Sequence, residues 1–550
     1  GNYIWDISFD CIHISKNMII FVTIMKKLLA ALSSGLLLAF SWPSIGVFPL
    51  IFFAFVPLLM LEERSEKGKS VFWYGYLSFL IFNLFTTYWV WHATAIGSVF
   101  AFLLNSLLMA FTFYIFHIIK KATKPRLGYV AFIVCWLSFE YLHLNWDLSW
   151  PWLTLGNVFA NVPGIVQWYE YTGVLGGSLW VLLVNVLIFK AWRKCVYSGF
   201  FDKLAWAVKS GKRKWIFTFL AVTLPILFSF YLEKNKVLTT EKGTHEIVIV
   251  QPNIDPYIDK FNMGYEQQLT DFIVLAKTRL TQNTQLLIGP ETALQEGIWE
   301  NKLEAAYSVR AFRKLQEQFP NLNILVGASS YKMFVYGEQK TVTARQLRNE
   351  QIFYDAYNSA VFIPDSGQVQ VYHKTKLVPG AEKTPFPKIL DKLAGLMLDL
   401  GGTSGSLGTE NKVSQLEVNE ISIQPLICYE SIYGDLQKAN TNLIVIITND
   451  GWWKNTAGYK QHFDYARLRA IEQRKMVVRS ANTGISGVIA PYGNVIESTK
   501  WDEAVCINTK VLLNNEITFY SIFGDYIGRL SVFVSAMLLI IAFVKGRLRK

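Results

Sequence analysis

The sequence predicts a polytopic α-helical membrane bundle of about eight spans that carries an α/β domain. Three observations predict it. Residues 1–239 and 521–550 are mostly long apolar runs, whereas residues 240–520 have the mixed composition of a water-soluble domain. Lys and Arg cluster at intervals that match alternate ends of those runs. Within 240–520, apolar strand-like runs interleave with helix-like segments, the pattern of a layered α/β architecture.

Charge divides the same way. The chain carries 53 Lys+Arg and 41 Asp+Glu, a net charge of +12, and residues 240–520 hold 28 and 30 of these. The basic excess therefore belongs to the apolar portions. It reads as membrane topology and not as a nucleic-acid surface, which needs a basic patch on the soluble domain.

Residues 1–24 lack a clear pattern and read as an N-terminal extension. Met25-Lys26-Lys27 then opens an apolar run. No small-residue cleavage site follows, so the run reads as a retained first helix. A span takes about 20 apolar residues. Candidates within the membrane domain, 25–239, lie near 28–42, 46–61, 71–91, 98–119, 127–144, 173–190 and 215–232, with an eighth near 525–544 before a basic tail. The first two flank Trp42-Pro43 and read as a tight hairpin. Lys26 and Lys27, Arg64 to Lys69, Lys120 to Arg126, Lys190 to Lys214 and Lys545 to Lys550 fall on one side if the spans alternate. Both termini are then cytoplasmic and the 240–520 domain lies on the outer face. Trp73, Trp89 and Trp91 sit where an aromatic belt would. Glu140, inside the fifth span, is either a functional carboxylate or one hydrogen-bonded within the bundle. The outer loop Trp146–Trp152 suits the lipid interface.

In the soluble domain, β-like runs at 246–250, 285–289 and 323–328 alternate with helix-like 264–281 and 302–318. Residues 358–363 and 368–373 form a hairpin across Pro364-Asp365-Ser366-Gly367. Strands at 421–427 and 443–448, a helix at 459–474 and three further strands complete it. No nucleotide-binding loop is present, and the five cysteines lack the spacing of a zinc site. No metal or cofactor is expected.

Three runs end on reactive side chains. Leu286-Leu287-Ile288-Gly289-Pro290 delivers Glu291, Val371-Tyr372-His373 delivers Lys374, and Gln424-Pro425-Leu426-Ile427 delivers Cys428. A free thiol with a pKa of about 8.5 is a few per cent thiolate at neutral pH, and lowering that to about 7 takes roughly 2 kcal/mol. An ammonium at Lys374 supplies the field, and a carboxylate at Glu291 takes the proton. The same residues also fit a structural salt bridge, with Cys428 inert or bonded to Cys506.

The stretches GPE at 289–291, YHKTKLVPGAE at 372–382 and CYES at 428–431 resemble the Glu-Lys-Cys signature of the nitrilase (carbon–nitrogen hydrolase) superfamily. With spans on both sides, the arrangement resembles the apolipoprotein N-acyltransferases, from about Met25 to the last span. PWL at 151–153, VQPNI at 250–254, TNDGWW at 448–453 and the helix-rich stretch 462–489 extend the match. The resemblance implies an αββα sandwich for 240–520 and Glu291 as general base, Lys374 as electrostatic stabiliser and Cys428 as nucleophile. It implies Glu382 as a supporting carboxylate, with Tyr429 and Glu430 lining the site. Trp452, Phe261 and Trp152 would contact lipid or substrate, and His462 reads as a capping or packing residue. Phe261 stands where the family commonly has Trp, and LVPGAE replaces the usual LVPFGE.

The implied reaction moves an acyl chain from a phospholipid, through a Cys428 thioester, to the α-amine of an apolipoprotein's N-terminal diacylglyceryl-cysteine. The implied place is the bacterial inner membrane, with the catalytic domain on its periplasmic face. The partners are then membrane phospholipid and the diacylglyceryl-apolipoprotein, with no nucleic acid. The apolar face of Phe386–Leu398 fits either a lid dipping into the interface or a core helix. A membrane-tethered amidase or ester hydrolase, using water as acceptor, is the alternative.

Overall fold

The α/β domain is built from strands whose alternate residues serve two different cores. In His245–Gln251, Ile247 and Ile249 face the second sheet, while Val248 and Val250 lie under helices. In Leu443–Thr448, Leu443, Val445 and Ile447 face inward, and Ile444 and Ile446 pack under the helix Ala457–Gln473. A period of two with both faces apolar is the mark of a sheet covered on both sides. These observations come from a computed structural model. It describes residues 16–196, 204–235, 244–347, 351–386, 406–410, 414–418, 420–436 and 440–548.

The result is an αββα sandwich. One sheet has eight described strands, and the other runs in six, ordered from Val495–Ser498 to Leu416–Val418. Helices Tyr265–Lys277 and Tyr307–Gln318 cover the first sheet through Phe272, Phe312 and Leu315. The second sheet's central strands Ile421–Ile427, Leu443–Thr448 and Val477–Ala481 are parallel, so their C-terminal ends point one way. Cys428 follows the first of these ends.

Six described helices are long and apolar enough to cross a membrane: Ile20–Ser41, Ala95–Ala122, Pro125–Leu144, Tyr169–Arg193, Arg213–Asn235 and Tyr526–Arg547. Gly68–Thr87 adds a 20-residue helix that is largely apolar. The first helix begins at Lys16, so residues 16–24 continue it upstream of Met25, while residues 1–15 lie outside the described residues.

The expected span at 46–61 is not one helix. It is a short 3₁₀ turn, Phe48–Phe52, followed by Val56–Glu63. Pro49 and Pro57 lack the N–H that a continuous helix needs. The Asn185 side chain repairs the break, accepting from Phe55 N at 2.8 Å and donating to Ile51 O at 2.8 Å. Buried backbone must be satisfied where no water reaches it.

Basic residues of several helices do gather, Lys27 from within the first helix and Lys120 and Arg193 from helix ends. Lys120 bonds Glu63 at 2.6 Å and also Glu62, Arg193 reaches Glu63 at 2.9 Å, and Lys27 donates to Ser70 at 3.1 Å. The opposite helix ends carry the contacts to the α/β domain. Trp42 donates to Tyr465 OH at 3.1 Å, and Gln461 donates to Thr86 O at 3.0 Å. Tyr429, Tyr433, Tyr465 and Leu468 belong to the same buried cluster as the bundle core. Trp73 and Trp91 are exposed as a belt requires, but Trp89 is buried, stacked edge-on against Trp152 and Trp453 at 4.7 Å each. Glu140 takes the hydrogen-bonded role, accepting from Trp136 Nε1 at 3.1 Å and Leu155 N at 2.9 Å.

A second joint is ionic. Arg474, in the left-handed conformation after Ala457–Gln473, bonds Glu170 at 2.8 Å and the Gln167 carbonyl at 2.7 Å, with both charged side chains fully buried. Arg474→Met removes the guanidinium from this buried pair. It should lower stability by about 3–5 kcal/mol, read as a fall in the thermal midpoint in detergent, whereas exchange of the exposed Lys500 for Met should not.

Candidate active site

Three strand ends converge. After Thr284–Ile288, Gly289 and Pro290 turn the chain so that Glu291 crosses tightly over Gly327, where a Cβ would sit 2.6 Å from Glu291 Cα. Lys374 follows Gln370–His373 and is tied by its N–H to Asn358 O at 2.9 Å. Cys428 follows Ile421–Ile427 with φ of 50°, a left-handed conformation that costs a non-glycine residue about 1–3 kcal/mol. The next residues coil into a short 3₁₀ turn, Cys428–Ile432, so the thiol stands at a sharp elbow.

Lys374 is the hub. Its Nζ donates to Glu382 Oε1 at 2.8 Å and Glu291 Oε1 at 3.2 Å, and it is buried. Asn358 Nδ2 donates to the same two oxygens, at 2.9 and 2.8 Å. Glu291 Oε2 accepts from Asn449 N at 3.1 Å, and Glu382 Oε2 from Val378 N at 2.8 Å. Burial disfavours charge on Lys374, but Glu291 and Glu382, with Cys428, outweigh it and hold the ammonium protonated well above its usual range.

The thiol differs from the sequence expectation. Burial first, and the Glu291 carboxylate second, push Cys428 well above an ordinary thiol, with Lys374 opposing. Lys374 does not favour a standing thiolate here, because burial and the Glu291 carboxylate outweigh its charge. The arrangement suits proton removal by Glu291 during attack, not before it.

Behind the elbow, His462 Nε2 lies 3.1 Å from the Cys428 carbonyl oxygen and its Nδ1 2.9 Å from Asp450 Oδ1. Arg479 bonds Asp450 at 2.7 Å. Burial opposes ionisation of Asp450, yet Arg479 and His462 keep it below the usual carboxylate range. His462 is thus part of a buried polar brace, within the helix and not at its head.

Glu291, Lys374, Glu382, Cys428, Tyr429, Trp452 and Trp152 share the wall of a cavity of about 800 Å³. Its other walls come from the bundle: Val90, Ile96, Phe100, Leu104 and Leu108. Trp152 is 3 % exposed, packed against Trp89, Trp453 and Tyr465, so the 146–152 loop ends in a buried aromatic cluster and not at a lipid surface. Tyr429 donates to Ser149 O at 2.6 Å, which fastens the elbow to that loop.

Glu430 does not line the cavity. Its Oε1 accepts from Tyr372 OH, Thr375 N and Thr375 Oγ1 at 2.8, 2.6 and 2.7 Å, and its Oε2 from Ile427 N at 2.8 Å. It clamps the lysine-bearing segment to the cysteine-bearing one. Phe261 lies on the short helix Asp259–Asn262, but its side chain is outside the described residues. So is the expected lid beyond Phe386; Phe386 itself lines the cavity. Cys506 is a free thiol on the other sheet, under Tyr265–Lys277, which removes the disulfide alternative. Asn358 carried no signal of its own, since it lies in mid-strand in Phe353–Ile363, and Asn449 stood only within the TNDGWW stretch, with no role marked for it.

Fold and cavity together define a carbon–nitrogen hydrolase-type domain set on membrane helices. The carbon-nitrogen hydrolase family model matches residues 249–512, and that of the apolipoprotein N-acyltransferase N-terminal domain matches residues 34–187. The chain belongs to the apolipoprotein N-acyltransferase family. An apolipoprotein N-acyltransferase of Chlorobaculum tepidum is 29 % identical over 95 % of this chain and 97 % of its own length. Apolipoprotein N-acyltransferase 1 of Treponema denticola is 26 % identical over 94 % and 96 %. A solved amidase from Nesterenkonia sp. aligns with 53 % of this chain and 98 % of its own, at 14 % identity and a TM-score of 0.34.

Glu291→Gln removes the second-largest cause of the raised thiol. Cys428 should therefore become more acidic, and its alkylation by maleimide at pH 9 faster, while acylation by a substrate ester falls by about 10²–10⁴-fold. Slower alkylation in that variant contradicts the assignment of Glu291 as the carboxylate beside the thiol.

Proposed function

We propose that this chain transfers an acyl chain from a phospholipid to the N-terminal α-amine of a diacylglyceryl-cysteine on an apolipoprotein, through a thioester on Cys428. Family membership supports lipoprotein N-acylation in general terms. One observation carries the finer reading: a thiol, a carboxylate and an ammonium meet in a cavity that is also lined by apolar side chains of the membrane helices, among them Ile96, Phe100, Leu104 and Leu108.

In the first half-reaction, Glu291 takes the thiol proton as Cys428 Sγ attacks the ester carbonyl. The Lys374 ammonium faces the developing oxyanion. The C–O bond breaks, Glu291 protonates the leaving oxygen, and a lysophospholipid departs. In the second, the amine attacks the thioester and gives a proton to Glu291. The C–S bond breaks, and the proton returns to sulfur. No net proton is consumed. Burial of the site limits attack by water while the thioester persists. We place the protein in the bacterial inner membrane, with this domain on the periplasmic face and both termini in the cytoplasm. The basic helix ends, gathered away from the domain, support that orientation.

Incubation with phospholipid alone should add one acyl mass to the peptide containing Cys428, released by hydroxylamine. A diacylglyceryl-peptide should then discharge it as an amide. Release of free fatty acid with no acylated peptide would instead identify a hydrolase, and no adduct would remove the covalent reading.

A further inference from the structure

Lys260 has no part in the chemistry above, yet it sits within that chemistry's reach. It lies on Asp259–Asn262 and is 6 % exposed. Its Nζ donates to Thr292 Oγ1 at 2.7 Å and lies 5.6 Å from the centre of the Trp452 ring. Among the described residues, no carboxylate forms an ion pair with it. Burying an ammonium beside only a hydroxyl and an aromatic face is costly. Burial holds it down to about 8, with the Glu291 charge working against that fall.

Two further features aim Lys260 at Glu291. Thr292 is the residue after Glu291 and is held at φ of 47°, so its hydroxyl bond to Lys260 fixes a strained link beside the carboxylate. A cavity of about 10 Å³ lies between them, lined by Lys260, Glu291, Thr292, Asn449 and Asn482 among others. That is close to the space of one water. Glu291 is thus flanked by Lys374 on the nucleophile's side and Lys260 on the other.

We propose that Lys260 is a positioning residue for the general base, acting as a second cation that sets how readily Glu291 releases the proton it takes from Cys428. The proposal rests on the acyl-enzyme reading above and extends it. Two ammonium groups thus face the one carboxylate that must both take a proton and give it back. Trp452, on the cavity wall, rests against the same ammonium, so the wall and the base share one support.

The charged groups around this unit are few. Lys374 and Glu382 face Glu291 from the 374–382 segment, and Cys428 faces it from the elbow. Asp450, paired with Arg479 and His462, lies behind Cys428. Removing the Lys260 charge raises the proton affinity of Glu291. Its ionised form is then lost at higher pH, and the acid limb of Cys428 acylation should move upward.

The experiment measures the burst of p-nitrophenol from a p-nitrophenyl acyl ester against pH, for the full-length protein in detergent. This ester needs no protonated leaving group and no natural donor, so it reads the thiol and its base alone. Lys260→Met should move the acid limb up by about one pH unit, and Lys260→Arg should restore it. In a Glu291→Gln background, Lys260→Met should slow acylation no further, since interacting sites are non-additive. An unmoved limb, or additive losses in the double variant, overturns the inference and leaves the acyl-enzyme reading intact. Failure of the wild-type Cys428 to acylate overturns both. Thermal midpoints of the variants separate misfolding from a shifted limb, and the Arg variant keeps the test valid if the Met variant does not fold.

Discussion

The arrangement depends on one constraint: an ammonium buried at Lys374 must be neutralised where water cannot reach it. Two carboxylates meet it, Glu291 at 3.2 Å and Glu382 at 2.8 Å, and Asn358 bridges both. A buried cation without partners is strongly destabilising, so these groups cannot separate independently. They come from a strand end, a second strand end, a loop and a mid-strand position. The sandwich brings those four places together, and the charge cluster in turn fixes how they meet.

The same constraint explains why Glu430 matters without touching the cavity. Its carboxylate gathers donors from Tyr372, Thr375 and Ile427, tying the lysine segment to the cysteine elbow. The elbow is held from behind by His462 on the Cys428 carbonyl and from the membrane side by Tyr429 on Ser149. A left-handed residue persists only where its surroundings over-determine it. Here three independent attachments do so.

Joining the α/β domain to the bundle gives the site its lipid character. Aromatic side chains from both parts, Trp42, Trp89, Trp152 and Tyr465, form one buried cluster with the partly buried Trp453 packed against it, and the Arg474–Glu170 pair locks the far edge. The cavity belongs to neither part alone. Its polar end is strand tips and its apolar walls are helix faces, so an acyl ester can present its carbonyl to the thiol while its chain stays out of water.

Hydrophobic period and run length were enough to read the layers from the sequence, because a strand covered on both sides and a membrane helix each impose a pattern that local residues must obey. The ends of three such runs marked Glu291, Lys374 and Cys428, since a buried strand that stops on a reactive side chain delivers it to an edge. Only the tertiary structure decided the rest. The 46–61 run was apolar enough to pass for one helix, and its break at Pro49 and Pro57 became tolerable only through Asn185, 130 residues on. Asn358 reads as an ordinary strand residue until Glu291 and Glu382 are placed around it. Trp89 and Trp152 read as interface aromatics until the two parts close over them. The raised thiol was illegible for the same reason: Lys374 favours a thiolate in isolation, and the balance reverses once burial and the nearby carboxylates are in place. Pattern within a segment is written locally; the sum of fields and contacts at a point belongs to every segment that meets there.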